Sequence, residues 1–568
     1  MTIYTSPYPS VEIRNESVFT HQFRTRFNDF PSDKAAFIDA ATGFTITRGQ
    51  LKDYGLSLGW GLRQELPRLG GVQLSRGDVM MIFSPNSITW PVMYYGGIAA
   101  GLRMTLANSA YTPKELHHQW VDSGAKAVFV HPSLVDTALE MFKTLNLDLT
   151  EARRRIVVAD WPSPPTDSTY IRISDILGKG QLQEEEKFDG DLANETALLC
   201  YSSGTTGNPK GVMTTHRNII ALLAMCNTGY PDLKEKNPVM LGVLPLYHIF
   251  GATKLLQFPY TRGIPVVIMQ KFDVVGMCKS VEKYGVSQCL VVPPICLALL
   301  HHPAVAKYNL KTLKFLMSGA APLGAPLVKG LQDRMKSLGV NVFVGQGYGL
   351  TETSPTSHCI PAQDSLRKVG TIGPLFPNLE ARLVIEDVED AKEGEAGELW
   401  IRGPTIMKGY LNNPEATKNA ITPDGWFKTG DIAIRDSEGF YSIVDRRKEL
   451  IKYKGFQVPP AELESLLLQH PDIADCAVIG VNSEEEATEL PRAYVVHAKG
   501  IPPSEQAAFG VSVQEWVKSR VARHKQLRGG VVVIDAIPKS AAGKILRREL
   551  RERAKKEPLP ARPVRAKL

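Results

Sequence analysis

An apolar run, Ala197-Leu198-Leu199-Cys200, opens directly into Tyr201-Ser202-Ser203-Gly204-Thr205-Thr206-Gly207-Asn208-Pro209-Lys210-Gly211, and a helical pattern follows near 218–224. The apolar run predicts a short buried strand. The loop after it holds Ser202, Ser203, Thr205 and Thr206 with three glycines and one lysine. That mixture suits polyphosphate: glycines let backbone N–H groups turn toward an anion, hydroxyls add donors, and the lysine supplies a point charge. Gly-x-x-x-x-Gly-Lys-Ser/Thr cannot be laid on it, so it is not a Walker A loop.

The strand–loop–helix order recurs on both sides of this loop. Upstream, strands are predicted at 35–39, 78–83 and 125–130, with helices at 88–101 and near 134–145; Leu51, Tyr54, Leu58 and Leu62 fall at helical spacing. Residues 1–46 read as a polar lead-in to the first strand, and 147–192 as a Pro- and charge-rich surface loop. Downstream, strands are predicted at 241–244, 266–269 and 288–292, with a helix at 274–284. Such alternation predicts an α/β fold with parallel sheets. Glycines, prolines and short alternating strands from 370 to 439 predict a small distorted β-barrel. Beyond Asp445-Arg446-Arg447-Lys448 the pattern becomes α+β: a helix at 459–469, strands at 476–481 and 493–497, a helix at 512–527 and a strand at 531–534. The expected organisation is a large N-terminal domain over 1–444, a hinge at 445–448, a small mobile α+β domain over 449–550 and a basic tail over 551–568. At 568 residues, more than one core is expected.

The net charge of +7 invites a nucleic-acid reading, but from residue 545 onward nine Lys/Arg stand against three Glu, so +6 of it lies in the last 24 residues. The near-neutral body excludes a broad basic face, and no nucleic-acid partner is expected. No apolar run reaches the ~18–20 residues of a membrane helix. Seven scattered cysteines without Cys-x-x-Cys predict free thiols in a reducing compartment.

Further motifs carry chemistry. Gly345-Gln346-Gly347-Tyr348-Gly349-Leu350-Thr351-Glu352 follows a strand predicted at 341–344; its glycines fail the dinucleotide spacing Gly-x-Gly-x-x-Gly. Thr429-Gly430-Asp431 reads by itself as a turn. Residues 446–454 carry five positive charges in nine positions, and Pro538-Lys539-Ser540-Ala541-Ala542-Gly543-Lys544 closes the series.

Taken in order, these segments resemble the adenylate-forming superfamily: acyl-CoA synthetases, 4-coumarate–CoA ligases, luciferases and the adenylation domains of peptide synthetases. The resemblance covers nearly the whole chain. It implies that Ser202, Ser203, Gly204, Thr205, Thr206, Gly207 and Lys210 hold ATP phosphates, and that Ala320, Gln346, Gly347, Tyr348 and Thr351 surround the nucleotide. It further implies that Asp431 and Arg446 clamp the ribose and that Glu352 binds Mg²⁺. Lys544 is then the lysine that bridges carboxylate and α-phosphate, Lys448 the pivot, and Lys452 and Gln457 residues that approach the adenylate. Lys454 and Gly455 would line the thiol tunnel, and Lys271 would lie near the CoA phosphates. His248 would floor the acyl pocket and gate the thiol, among Tyr247, Phe250, Lys254, Met317, Gly319, Thr353, Pro355 and Cys359. One face of a small domain cannot easily present both Lys544 and the 452–455 segment at once, so a hinge rotation is expected between two half-reactions.

The implied activity is an ATP-, Mg²⁺- and CoA-dependent acid–thiol ligase. The same fold also serves carrier-protein-loading enzymes and luciferase-like oxidases; no fused carrier segment is read after Lys544. Met317 stands where hydroxycinnamate ligases tend to carry lysine, and Thr353-Ser354-Pro355-Thr356 replaces their Ala-Gly-Pro-Val, so apolar aliphatic or aryl acids are expected over 4-hydroxycinnamate. Lys254 either meets a second polar group on the acid or points outward. The C-terminal Ala566-Lys567-Leu568 is a one-residue variant of the Ser-Lys-Leu address, predicting a peroxisomal import receptor as partner.

Overall fold

The computed structural model describes residues 1–24, 30–163, 169–202, 208–229, 237–321, 323–454, 456–483, 486, 488–540 and 543–557. A strand that is apolar along its whole length, such as Val79–Phe83, can bury both faces only between layers of helices, and Ala125–Val130 is buried at every position but Lys126. Among the described residues, eight strands form one sheet in the order 409–410, 210–215, 196–202, 103–107, 79–83, 125–130, 156–158, 171–172. It is parallel from Thr196–Ser202 outward to Ile171–Arg172, with Lys210–Thr215 and Gly409–Tyr410 added antiparallel at the other edge. A second sheet of eight runs 358–359, 343–348, 315–318, 288–291, 240–242, 266–268, 35–39, 45–47, parallel except at its two ends.

Two stretches contribute more than expected. The 147–192 segment is not a plain surface loop: Ile156–Val158 and Ile171–Arg172 extend the first sheet, and Ile156 and Val157 are fully buried. A three-residue strand is too short for periodicity to reveal it. The lead-in likewise folds into the body. Tyr4–Thr5 pairs with Glu380 and Ala381, and the helix Val18–Phe23, capped by Ser17, buries Val18, Phe19 and Phe23.

The 370–439 region forms an antiparallel sheet in the order 4–5, 380–385, 397–402, 427–435, 441–446. Its end strands do not pair with each other among the described residues, so it is a half-barrel. Tyr441–Arg446 is its last strand, and Arg446 stands opposite Asp431. The first two residues of the expected hinge are therefore held in a ladder.

A separate core starts at Ile451 and includes Leu463, Val478, Ile479, Tyr494 and Val513. The hairpin Ile451–Tyr453 with Phe456–Val458 leads into the helix Pro460–Leu467 and the antiparallel pair Ile473–Ser483 and Thr488–His497. Val531–Val533 adds parallel to the latter. The last long helix spans Pro503–Lys518, not 512–527: it starts at Pro503 in its first turn, and Val513 and Val517 are its buried stripe. The apolar spacing near 513–527 marked the buried face but not the polar, alanine-containing first turns. The two cores meet at Asp445, whose buried carboxylate accepts from the backbone N–H of Ala461 at 2.9 Å.

Candidate active site

The two sheets, the half-barrel and the C-terminal unit all border one cavity of about 1370 Å³. Most residues singled out in the sequence line it: Ser202, Lys210, Tyr247, His248, Phe250, Lys254, Met317, Gly319, Ala320, Gly347, Tyr348, Thr351, Glu352, Pro355, Cys359, Asp431, Arg446, Lys448, Lys452 and Lys544. Ser203, Gly204, Thr205, Thr206 and Gly207 lie outside the described residues, as do Gly455 and the C-terminal tripeptide.

The strand Thr196–Ser202 delivers Ser202 to the cavity, where its Oγ donates to Glu352 Oε1 at 2.9 Å. The same oxygen accepts from Tyr410 Oη at 2.9 Å. Glu352 is buried, and two hydroxyls fix its orientation. Among the described residues no three His, Cys, Asp or Glu gather as a metal cluster. A lone, oriented carboxylate fits Mg²⁺, which takes most of its oxygens from phosphate and water. Lys210, opposite Ser202 in the ladder, holds its Nζ 4.9 Å from the Tyr410 ring centroid. The loop between Tyr348 and Glu352 can pass this close to Pro355 only with glycine at 349, because a Cβ there would lie 1.6 Å from the Pro355 carbonyl oxygen.

Asp431 sits on Phe427–Arg435 and is buried. It accepts from Tyr348 Oη at 2.6 Å and lies 3.4 Å from Arg446 Nε. Burial raises its carboxyl, against the pull of Arg446. This fits a ribose, whose hydroxyls would donate to Asp431 beside the Tyr348 ring.

Lys544 comes from the C-terminal unit on a tight loop. Leu546 N–H donates to the Pro538 carbonyl at 2.9 Å, and Ser540 N–H to the Lys544 carbonyl at 2.8 Å. Burial, and then the charge of Arg446, lower its ammonium to about 8, while Asp431, Glu352 and Glu449 oppose the shift. A cation from one domain thus faces two carboxylates of the other. His248 caps the helix Ile249–Lys254: its Nδ1 accepts from Phe250 N–H at 3.2 Å, which leaves the proton on Nε2. Burial, then the nearby charge of Lys544, lower it to about 4, so the ring is neutral at physiological pH. The Phe250 ring covers Gly319, where a Cβ would stand 3.1 Å from Phe250 Cε1.

Several expected residues do other work. Gln346 does not line the cavity. Its Oε1 accepts from Leu323 N–H at 2.6 Å and its Nε2 donates to the Thr371 carbonyl at 2.8 Å, so both amide ends tie loops together. Thr353 is fully buried and its Oγ1 bonds to Leu350 and Pro355 backbone, so it shapes the turn and does not wall the pocket. Gln457 is exposed and pairs with Lys452 across the hairpin, outside the lining. Lys454 turns away at φ 47° and bonds to Glu486 at 2.7 Å. Lys271 is exposed and borders a smaller adjoining cavity with Lys539 and Gly543; Tyr247 and Ser540 line both. The expectation that Lys544 and the 452–455 segment exclude each other does not hold for Lys452, which lines the same cavity as Lys544. Lys254 does not point outward; it is 4% exposed.

Sequence reasoning missed Tyr410 and Glu398. Glu398, buried on Gly397–Arg402, accepts from Gly430 N–H at 2.9 Å and Arg447 Nη1 at 2.7 Å, bracing the turn before Asp431. No local motif marks either residue; only strand pairing over long separations brings them in.

Comparison with known proteins agrees with this geometry. Residues 23–411 match the AMP-binding enzyme family and residues 462–544 the AMP-binding enzyme C-terminal domain. The chain is 35% identical over 565 residues to the 4-coumarate–CoA ligase-like 4 protein of Oryza sativa subsp. japonica, covering 95% of this chain and 98% of that one. It is 36% identical over 558 residues to the 4-coumarate–CoA ligase 1 of Narcissus pseudonarcissus, covering 97% and 96%. The crystal structure of ATP-bound MatB from Rhodopseudomonas palustris superposes with a TM-score of 0.78 at 25% identity, covering 95% of this chain and 99% of that one. On these matches and this site, the chain belongs to the AMP-binding, adenylate-forming superfamily, among the 4-coumarate–CoA ligase-like, AMP-forming acyl-CoA ligases.

Proposed function

We propose that the protein activates a carboxylic acid with ATP and passes the acyl group to the thiol of CoA. Carboxylate is a poor acyl donor, and AMP is a good leaving group. In the first step the acid's carboxylate attacks the α-phosphorus and pyrophosphate leaves; in the second the thiolate attacks the acyl carbonyl and AMP leaves. Asp431 accepts the ribose hydroxyls, Tyr348 lies against the base, and Lys544 offers its charge where carboxylate and α-phosphate converge. Mg²⁺ held at Glu352 would neutralise charge on the departing pyrophosphate. Neutral His248, donating through Nε2, marks the boundary between nucleotide and acyl parts of the cavity.

The observation that carries this reading is the meeting of Lys544 with Asp431, Glu352 and Arg446 in one cavity, a combination suited to the first step. Lys454, by contrast, is engaged with Glu486. Rotation of the small domain about Lys448 would bring Lys454 and Gly455 inward for the second step. The acid has an apolar body, since Phe250, Met317, Pro355, Cys359 and Phe376 line its part of the cavity. The test is acid-dependent pyrophosphate release across aryl, medium-chain and long-chain acids, with and without CoA. Acyl-CoA is expected to accumulate in proportion to AMP. Pyrophosphate release with every acid but no CoA thioester would overturn the choice of acceptor.

A further inference from the structure

The wall around Glu352 is assembled from three chain segments that are tied to one helix. Pro113–Ser123 starts at a capping box of Thr112 and Glu115 and stops at Gly124, whose φ is 65°. Its core face is Leu116, Gln119, Trp120 and Ser123. His118 and Asp122, four positions apart, share a different, half-buried face. His118 Nε2 donates to the Pro209 carbonyl at 2.8 Å; a carbonyl can only accept, so the ring carries a proton there. Asp122 Oδ2 accepts from Tyr201 Oη at 2.6 Å, and the Asp122 carbonyl accepts from Asn412 Nδ2 at 2.8 Å.

Each tied residue stands beside one that meets Glu352 or its surroundings. Tyr201 precedes Ser202, and Asn412 follows Tyr410 by two positions; both of those neighbouring hydroxyls bond to Glu352 Oε1 at 2.9 Å. Pro209 precedes Lys210, whose Nζ stands 4.9 Å from the Tyr410 ring centroid. Lys210 pairs with Ser202 and Gly211 with Tyr201, so His118 and Asp122 grip the end of that antiparallel pair from both strands. Burial of Leu116 and Trp120 requires none of these bonds. What the bonds do is fix Ser202 and Lys210, and recognition of a ligand needs its contacting groups held to within about 0.5 Å.

We propose that His118 and Asp122 are positioning residues for the polyphosphate of ATP. They hold Ser202 and Lys210 where the β- and γ-phosphates are met, and neither of them lines the cavity itself. The inference rests on reading Ser202, Lys210 and Glu352 as the polyphosphate end of a ligase's nucleotide site. It assigns the grip on pyrophosphate, and not that on the AMP part of the nucleotide, to a helix outside the cavity.

The experiment measures the affinities of ATP with Mg²⁺ and of AMP by calorimetry, without any acid, and Tm alongside. His118→Ala and Asp122→Ala are each expected to weaken ATP about fivefold, the loss of one hydrogen bond, and to leave AMP within about twofold of wild type. His118→Gln, whose amide can donate to the same carbonyl, and Asp122→Asn, which keeps an acceptor for Tyr201, are each expected to recover part of that loss. A helix that served stability alone would lower Tm and leave both affinities of the folded protein unchanged. ATP affinity unchanged in both alanine variants overturns the proposal, as do equal losses for ATP and AMP, or conservative variants that bind ATP no better than the alanine ones. Should an alanine variant not fold, the conservative variant at that position and the pair at the other decide. Acid-dependent pyrophosphate release by wild type is measured separately. Its absence with every acid overturns the ligase reading, while the ratio of ATP to AMP affinity still decides the role of His118 and Asp122.

Discussion

If Lys544 acts as proposed, its lowered ammonium should make adenylation pH-dependent in a defined direction. The charged form would be the one that stabilises the transition state, and burial brings its loss to about pH 8. About nine-tenths of the side chains are then charged at pH 7 and about one-tenth at pH 9. Because kcat/KM reports the free enzyme, log kcat/KM for ATP in acid-dependent pyrophosphate release should be flat near pH 7. It should then fall with unit slope above 8, tenfold per pH unit. Other groups along the cavity titrate elsewhere: His248 is lowered to about 4, and burial pushes Tyr201, Tyr247 and Tyr410 upward from their ordinary range. Lys544→Arg keeps the charge at all these pH values and should abolish the alkaline limb, whatever it does to the absolute rate. Lys544→Met should lower the plateau by about 10²–10³, the loss of one preorganised donor to developing negative charge. A wild-type profile flat to pH 9.5, or an alkaline limb that persists unchanged in Lys544→Arg, refutes the assignment.

Lys544→Ala should slow acid-dependent pyrophosphate release about as much as Lys544→Met does, by roughly 10²–10³, yet still convert preformed acyl-adenylate and CoA to thioester, and Lys448→Pro should show the reverse; equal slowing of both steps by Lys544→Ala would contradict domain alternation. Tyr410→Phe removes one of the two hydroxyls that orient Glu352, so the Mg²⁺ concentration for half-maximal rate should rise several-fold, consistent with about 1 kcal/mol for one hydrogen bond. Gly349→Ala should cost both activity and stability, since its Cβ would overlap the Pro355 carbonyl oxygen; an unchanged Tm and kcat would show that the loop gives way. Leu463→Ala, in the core of the small domain, should lower stability by about 2–5 kcal/mol in chemical denaturation, with a separate transition if that domain unfolds alone.

What could be read from the sequence, and what could not, divides by the range of the interaction. The phosphate-loop strand, the 345–352 turn, Asp431 and the 538–544 loop are contiguous strings whose residue types carry their own chemistry, and the described part of each reaches the cavity. Fully apolar strands such as Val79–Phe83 are legible for the same reason. Residue type alone does not say where a hydrogen bond goes. Gln346 and Thr353 look like ligand contacts within their motifs, yet both spend their polar atoms on neighbouring backbone. Tyr410 and Glu398 are silent because their partners lie in other strands: Tyr410 reaches Glu352 only once Gly409–Tyr410 pairs beside Lys210–Thr215. The relation of Lys452 to Lys544 is a third kind. The hairpin ends at Val458, 80 positions before Pro538, and its first strand is tied down at two points: Lys452 N–H donates to Glu489 and Lys454 N–H to Thr488. That anchoring leaves Lys452 at the cavity while the left-handed backbone at Lys454 carries the next lysine to Glu486. On the proposed reading, rotation of the small domain would withdraw Lys544 and bring in Lys454 and Gly455, so the thioester-forming arrangement requires the Lys454–Glu486 contact to break.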